Sequence, residues 1–233
     1  HASRVGNSGT ATAKGAILEL SGRLVGDLVL PTSGLSPAIG GSRPYSGLTV
    51  ASGVTLSLHP GAILKSNRGG FLQILGRMNV DGTPASPAVI TSIIDDAIGG
   101  DTNYDGTITT RGYCDWPGIS VAGGIVRAAN LTIRSACTAI SAYSSASVRI
   151  GGKIIGNYNG LVGSPDSIID ARGVDWGTPT GPYPYGYGDS VNEYVRVEPW
   201  QGEAAFRAKY SGGSSGGFAG RSYGSKHYEP RTG

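Results

Sequence analysis

Oxygen-bearing side chains recur at alternate positions in one short segment of this chain, between residues 101 and 107. Asp101, Asn103 and Asp105 would each supply a side-chain oxygen, and Thr107 would supply a backbone carbonyl. Oxygen ligands at this spacing, followed by a glycine, allow a loop to wrap a hard cation. The segment therefore predicts a Ca²⁺ site.

This segment is not an EF-hand, because the twelfth position of an EF-hand loop is acidic and the corresponding residue here is Gly112. Asp96, Asp95 or Asp115 would complete the set of ligands instead. The alternative is a turn that binds nothing, since Asp, Asn and Gly favour turns by themselves. If Ca²⁺ binds, we expect it to hold a long insertion in place rather than to catalyse a reaction.

The sequence gives little support for a catalytic site. A calcium-dependent lyase needs carboxylates beside a basic residue on one exposed sheet, and Arg127, Arg134 and Arg149 fall near successive apolar segments. However, residues 116–165 contain no Asp or Glu. The arginines fit the shielding of an exposed sheet face better, so we predict no catalytic residues.

Carboxylate pairs and histidines give equally little support for an enzyme. Asp166 and Asp170 are the candidates for the two catalytic carboxylates of a glycoside hydrolase. Roles in turns and caps explain these two residues equally well. The chain has three histidines, His1, His59 and His227, which leaves little material for a metal cluster or a Ser-His-Asp triad. We expect His59 to be structural or solvent-facing.

Aromatic residues gather towards the C-terminal part of the chain. Trp176, Tyr183, Tyr185 and Trp200 offer rings on which a sugar could stack, so a surface glycan is one candidate partner. The alternative is a plug that covers the end of the fold, because open strands at the end of a repetitive structure need shielding. We favour the plug.

Composition and charge exclude two further classes of function. Glycine accounts for 40 of 233 residues and charged residues for only 15%, which is unlike the highly charged composition of disordered chains. The net charge of +3 comes from residues 201–233, so the rest of the chain is neutral and would not attract nucleic acid. No apolar run reaches about 18 residues, so we predict no membrane span.

Short apolar segments follow one another through the middle of the chain, separated by Gly, Pro, Asn and Ser. The pairs Leu56/Leu58 and Leu131/Ile133 show the alternation typical of a strand with one buried face. Three such segments make a unit of roughly 20–25 residues, a period typical of solenoid folds. The pattern predicts an all-β parallel β-helix with three short sheets and very little helix.

Cys114 and Cys137 are 23 positions apart, which is one coil of such a fold. Residues one coil apart stack at about 4.8 Å, within the Cα–Cα range of roughly 4.4–6.8 Å for a disulfide. A disulfide is therefore one interpretation. Two buried, unpaired cysteines that fill the core are the other.

The motifs that carry a family resemblance lie between about residues 20 and 200. They include Gly-Val-Thr-Leu at 53–56, Pro-Gly at 60–61, Trp-Pro-Gly-Ile at 116–119 and Trp-Gly-Thr-Pro-Thr-Gly-Pro at 176–182. In combination they resemble the right-handed parallel β-helix domains of exported bacterial surface and adhesin-like proteins, in the pectate-lyase-like superfamily. The resemblance implies a right-handed single-stranded β-helix that is secreted or lies at the cell surface.

The expected organisation has three parts. We expect residues 1–15 to be a loose lead-in, 16–200 to form the β-helix with a cap at each end, and 201–233 to be a Gly/Ser-rich basic tail or linker to other modules of a larger parent protein.

The resemblance and the motifs favour a non-catalytic structural or adhesive module that Ca²⁺ stabilises. The alternative is a carbohydrate-binding or polysaccharide-degrading β-helix domain. Clustered acids with a base along one sheet would favour the enzyme. A face lined by Ser, Thr and Ala would favour the module.

Overall fold

The computed structural model describes residues 17–34, 36–40 and 46–211. The expected lead-in at 1–15 and the tail from residue 212 onward lie outside the described residues. Within this part of the chain there are nineteen strands and one helix. Their bounds are β1 (Ile17–Leu20), β2 (Gly22–Leu24), β3 (Leu28–Val29), β4 (Ser36–Ile39), β5 (Leu48–Val50), β6 (Thr55–Leu58), β7 (Ile63–Ser66), β8 (Phe71–Ile74), β9 (Arg77–Asp81), β10 (Ala88–Ser92), β11 (Trp116–Ala122), β12 (Ile125–Ile133), β13 (Ala136–Tyr143), β14 (Ser147–Ile154), β15 (Asn159–Gly163), β16 (Ile168–Asp170), β17 (Pro182–Tyr183), β18 (Gly188–Ser190), β19 (Val195–Arg196) and α1 (Glu203–Ser211).

All strand pairs in the described ranges are parallel, in agreement with the predicted all-β parallel fold. One sheet has six strands in the order β15-β13-β11-β8-β5-β2, and a second has eleven. A two-stranded sheet contains β17 and β18. Apart from β17 and β18, no two strands that are consecutive in the described sequence pair with each other.

The long strands β12 and β14 divide the eleven-stranded sheet into two walls. Residues 125–129 of β12 pair with β9, whereas residues 131–133 pair with β10 after a shift in register. Asn130 allows this bend, since it has a φ of 48° and its side chain donates a hydrogen bond of 2.8 Å to the Gly82 carbonyl. We call the side with β3, β6, β9, β16 and β19 wall 1, and the side with β1, β4, β7 and β10 wall 2.

The core consists of apolar side chains that stack in register from strand to strand. The two-residue alternation of each strand turns every second side chain inward. In one such column in wall 1, every side chain is at most 1% exposed. Burial of each of these side chains stabilises the fold by roughly 1.5–3 kcal/mol. The column contains Leu56, Met78, Val126, Val148 and Ile169.

The helix α1 lies in the stretch expected to be a linker. The Glu203 carboxylate accepts a hydrogen bond of 3.1 Å from the Trp200 backbone N–H, and it also pairs with Arg207 one turn later. The Arg207 guanidinium lies 5.9 Å from the centre of the Trp200 ring. Capping by an acidic side chain and an ion pair at this spacing both favour a helix.

The longest connection in the described part of the chain is the insertion 93–115, which joins β10 to β11. It lies against the outside of wall 2, where Gly99 contacts the side chain of Ile63. Lys65 and Thr91, both on the outer surface of this wall, are fully buried. No helix in the described ranges is long and apolar enough to cross a membrane.

Candidate metal site and its surroundings

A buried lysine anchors the start of the insertion to wall 2. The Lys65 Nζ donates hydrogen bonds to the backbone carbonyls of Asp95, at 3.1 Å, and Gly100, at 2.7 Å. Burial lowers the pKa of Lys65, while the carboxylates of Asp95, Asp96 and Asp101 act in the opposite direction. The sequence analysis does not identify Lys65 as an anchor, and the available signal is a lysine that directly follows the apolar residues Ile63 and Leu64.

Asp95 forms a second anchor beside Lys65. Its Oδ2 accepts a hydrogen bond of 2.7 Å from the Thr91 hydroxyl and lies 3.0 Å from Nε of Arg134. Asp95 is 1% exposed, so the positive charge of Arg134 offsets much of the cost of burying its carboxylate. These contacts fix the backbone at the point where the insertion leaves the sheet.

Three carboxylates from the insertion meet above these anchors. Asp96, Asp101 and Asp105 each place an oxygen within 4.8 Å of the others. The Asp101 carboxylate accepts hydrogen bonds from the backbone N–H groups of Tyr104, at 2.7 Å, and Gly106, at 2.8 Å. The loop is thereby wrapped around Asp101.

Three oxygens at this cluster are buried and receive no hydrogen bond from the described residues. They are the Oδ1 atoms of Asp96, Asn103 and Asp105. Burial raises the pKa of Asp96, and the nearby carboxylates of Asp101 and Asp105 raise it further. Unpartnered buried oxygens and mutual repulsion both carry an energetic cost, and a cation would relieve both.

The predicted ligands are only partly brought together. Asp96, Asp101 and Asp105 form the cluster, and Asn103 joins it through a hydrogen bond of 2.8 Å from its Nδ2 to Asp105 Oδ2. Thr107 is exposed to solvent.

The other two acidic residues that the sequence suggested as ligands have different partners. The Asp95 carboxylate faces Thr91 and Arg134. The Asp115 Oδ2 accepts a hydrogen bond of 2.6 Å from the Gly112 backbone N–H. Neither residue belongs to the group of three carboxylates around Asp101.

A disulfide fastens the far end of the insertion. Cys114, next to the last residue of the insertion, is bonded to Cys137 on β13. The Asp115 N–H also donates a hydrogen bond of 2.8 Å to the Ser135 carbonyl. The cluster of three carboxylates therefore lies on a loop that is held to the sheets at both ends.

The aromatic residues divide into buried and exposed groups. Trp176 and Trp200 are only 2% and 7% exposed, and the Trp200 indole N–H donates a hydrogen bond of 3.0 Å to the Pro179 carbonyl. Their predicted role in stacking on a glycan does not fit this burial, since no ring face is free for a sugar. Tyr183 and Tyr185 remain exposed.

The arginines considered for a lyase do not share one site. Arg134 is directed at Asp95 under the insertion, whereas Arg127 and Arg149 lie side by side on the exposed surface of wall 1. The structure therefore separates the acidic cluster from the exposed arginines by placing them on different walls.

The two carboxylates considered for a hydrolase are also held by separate partners. Asp170 accepts hydrogen bonds of 2.8 and 2.6 Å from the Arg172 guanidinium, which lowers its pKa. Hydrogen bonds, chiefly from the Ser164 hydroxyl, lower the pKa of Asp166. A general acid needs a raised pKa, so neither carboxyl group is suited to that role.

The outer face of the six-stranded sheet carries an uncharged row of side chains. Thr49, Gln73, Ser120 and Ser141 lie opposite one another on β5, β8, β11 and β13. Arg23 on β2 lies opposite Thr49, at the end of this row. Thr49 donates a hydrogen bond of 3.3 Å to Gln73. Hydroxyl and amide groups, rather than acids and bases, line this part of the surface.

Comparisons with known proteins do not identify a family for this chain. A scan against protein-family models finds no match. Searches of curated proteins and of solved structures find no significant match either. Function is therefore inferred from the geometry and chemistry of the chain's own residues.

Proposed function

We propose that the chain winds as a right-handed parallel β-helix with three walls of short strands and a cap at each end. Supporting this, Ile140 lies opposite Ile119, and Leu161 lies opposite Ile140, so two successive returns to the six-stranded sheet each take 21 residues. Connections between parallel strands of one sheet are almost always right-handed. The aromatic cluster around Trp176 and Trp200 would close the C-terminal end.

This β-helix serves as a non-catalytic structural or adhesive module of an exported bacterial protein, either secreted or attached to the cell surface. The observation that carries the proposal is the uncharged outer row of Thr49, Gln73, Ser120 and Ser141. Such a face presents a rigid surface without the acid and base that polysaccharide cleavage requires. The disulfide adds support, because such bonds persist in oxidising compartments.

Calcium has a structural role in this proposal. The ion would be bound by oxygens of Asp96, Asp101, Asn103 and Asp105, with the remaining positions filled by water, as hard cations with oxygen ligands allow. It would neutralise the repulsion between the three carboxylates and satisfy the unpartnered oxygens. The insertion 93–115 would then be braced against wall 2.

The first experiment tests Ca²⁺ binding by titration calorimetry and thermal unfolding of the full chain. We expect Ca²⁺ to raise the melting temperature, since an ion at 100 times its Kd stabilises a protein by about 2.7 kcal/mol. The double variant Asp96→Asn/Asp105→Asn should lose this response, whereas the exposed control Asp81→Asn should keep it. Absence of binding heat, together with an unchanged melting temperature in chelator, would remove calcium from the proposal.

A second experiment tests the absence of catalysis independently of calcium. The full chain is incubated with a panel of uronans and neutral glycans, and the release of unsaturated or reducing sugar ends is measured with and without Ca²⁺. We expect no release above the rate of the buffer alone. Sustained release from any polymer would replace the structural module with the polysaccharide-degrading alternative.

A further inference from the structure

The exposed surface of wall 1 carries a group of arginines that the structural role leaves unused. Arg127 on β12 lies directly opposite Arg149 on β14. Arg77 lies on the neighbouring strand β9, diagonal to Arg127, because Arg77 is opposite Ile125. Arg196 on β19 lies two strands beyond Arg149. We call these four residues the arginine row.

The strand alternation directs the arginine row to solvent. The residues that flank Arg127 and Arg149 along their strands include Val126, Val148 and Ile150, all of which are buried in the core. Arg127 and Arg149 themselves are exposed. Side chains opposite each other on adjacent strands lie about 5 Å apart at their Cβ atoms, so the positive charges are concentrated along a short line.

None of the four guanidinium groups forms a hydrogen bond or an ion pair with a carboxylate in the part of the chain that the structure describes. Asp170 lies between Arg149 and Arg196 in the register, but both of its oxygens are occupied by Arg172. Arg149 acts on Asp170 only as a weaker, more distant charge. The positive charge of the arginine row is therefore not neutralised by ion pairs within the described part of the chain.

Like charges directly opposite each other on adjacent strands destabilise a sheet. An anion bound along the row would remove this repulsion, and guanidinium groups are suited to oxyanions because their planar N–H groups donate paired hydrogen bonds. Arg127 and Arg149 are one strand spacing of about 4.8 Å apart, Arg77 lies diagonally beside them, and Arg196 lies two strands further on. Several charges spread along one surface match a polymer with repeated anionic groups better than a single small anion.

We propose that the arginine row binds a linear sulfated polysaccharide. Sulfate groups remain charged at all physiological pH values, and a sulfated glycan can carry more than one charge for each pair of sugars. That density suits Arg77, Arg127 and Arg149, which lie on three adjacent strands. A single-stranded nucleic acid would need aromatic platforms beside the charges, and the row contains none.

This inference goes beyond the structural role and does not depend on Ca²⁺, whose proposed ligands lie on the other wall. It assigns the adhesive surface to wall 1 rather than to the tryptophans, which are buried. The basic residues in 201–233 are a competing source of affinity for anions, so the experiment has to separate that segment from the row.

The experiment measures binding of the full chain to a heparin-derived octasaccharide by titration calorimetry. A desulfated octasaccharide and an oligogalacturonate of similar length are the comparison ligands. The double variant Arg127→Gln/Arg149→Gln removes two charges from the row. The control Arg23→Gln/Arg68→Gln removes two exposed arginines from other surfaces, so both variants have the same net charge and an intact C-terminal segment.

We expect the Arg127→Gln/Arg149→Gln variant to bind the sulfated ligand at least about tenfold more weakly, because charge-assisted hydrogen bonds are among the strongest polar contacts. The Arg23→Gln/Arg68→Gln control should stay within about twofold of the wild type. Equal losses in both variants, or no loss in either, would overturn the proposal and point to overall charge or to residues 201–233. Binding of oligogalacturonate as tight as that of the sulfated ligand would overturn the assignment to sulfate.

Stability measurements separate binding from misfolding. Because the substitutions remove like-charge repulsion, the row variant should melt no lower than the wild type. If the row variant melts lower, a second variant, Arg127→Lys/Arg149→Lys, is used, because it keeps both charges but loses the paired donors. This lysine variant should melt like the wild type and bind the sulfated ligand at least about threefold more weakly. Unchanged affinity in this lysine variant would also count against recognition by guanidinium groups.

Discussion

At the scale of single residues, Lys65 shows how a charge is held inside the molecule. Its ammonium donates to two carbonyls of the insertion, Asp95 and Gly100, and faces the carboxylates of Asp95, Asp96 and Asp101. Burial lowers the pKa of Lys65, because removing the ammonium from water costs free energy. That cost is offset because the same ammonium satisfies carbonyls and balances negative charge that would otherwise be buried without partners.

Lys65→Met tests this balance. The methionine fills a similar volume, but it leaves two carbonyls without a donor and the carboxylates without their buried counter-charge. We expect a loss of about 3 kcal/mol in the free energy of unfolding, as is typical when one partner of a buried charged group is removed. Denaturant unfolding provides the measurement.

Lys153→Met is the matched control, since Lys153 is 55% exposed and pairs with Asp175. A change of less than about 1 kcal/mol in the free energy of unfolding is expected for this exposed pair. Equal effects of the two substitutions would contradict the role of Lys65.

At the scale of elements, the insertion 93–115 behaves as a loop fastened at two points. Lys65 and Arg134 hold its beginning through Asp95, and the Cys114–Cys137 disulfide holds its end to β13. Loops lack the continuous hydrogen bonding of a sheet, so their position depends on such fastenings. The carboxylates of the cluster can remain close together only while both ends stay in place.

Cys114→Ser/Cys137→Ser is expected to lower the free energy of unfolding by about 2–4 kcal/mol, the typical contribution of a disulfide. Unfolding is measured in denaturant with and without a reducing agent. The wild type should lose stability on reduction, whereas the double variant should not respond to the reducing agent. A thiol count should confirm that the reducing agent has opened the disulfide of the wild type. If the denaturant midpoint of that reduced protein equals the midpoint of the oxidised protein, the bond has no stabilising role.

At the scale of the whole molecule, wall 1, wall 2 and the six-stranded sheet present different outer surfaces. The insertion lies against β7 and β10 of wall 2, wall 1 carries the arginine row, and the six-stranded sheet carries the row of hydroxyl and amide groups. In a solenoid each turn is stabilised mainly by its two neighbours. Among the described residues, the first strands have a neighbour on one side only, as β1 pairs with β4 and β2 with β5.

Native-state hydrogen exchange tests this arrangement. Amides of β12, β13 and β14, which have strands on both sides, should exchange slowest, whereas β1, β2 and β3 should exchange orders of magnitude faster because end turns open locally. Mass spectrometry of peptic peptides gives the measurement, with peptides from the insertion compared separately. Uniform protection from β1 to β14 would contradict a solenoid and support one globally cooperative unit.

Much of the fold can be predicted from short-range patterns. The apolar alternation at Leu56/Leu58 and Leu131/Ile133 reports which side chains face inward, and both pairs lie in strands of parallel sheets. The segment 201–211 is an exception, because α1 depends on Trp200 and Glu203 meeting at its beginning, and the Gly/Ser content of the chain beyond it favoured a linker.

The strands, the neutral charge of residues 1–200 and the acidic spacing at 101–105 can be predicted from the chain alone, because alternation, composition and local spacing are properties of residues close together in sequence. The folded arrangement was needed to show that Trp176 and Trp200 are buried. It was also needed to show that Asp96 joins Asp101 and Asp105, and that Lys65 is bonded to the same loop. It also decided that Arg127 faces Arg149. The physical reason is that these contacts depend on the register between strands, and register is set by the packing of many side chains across the core rather than by any one segment.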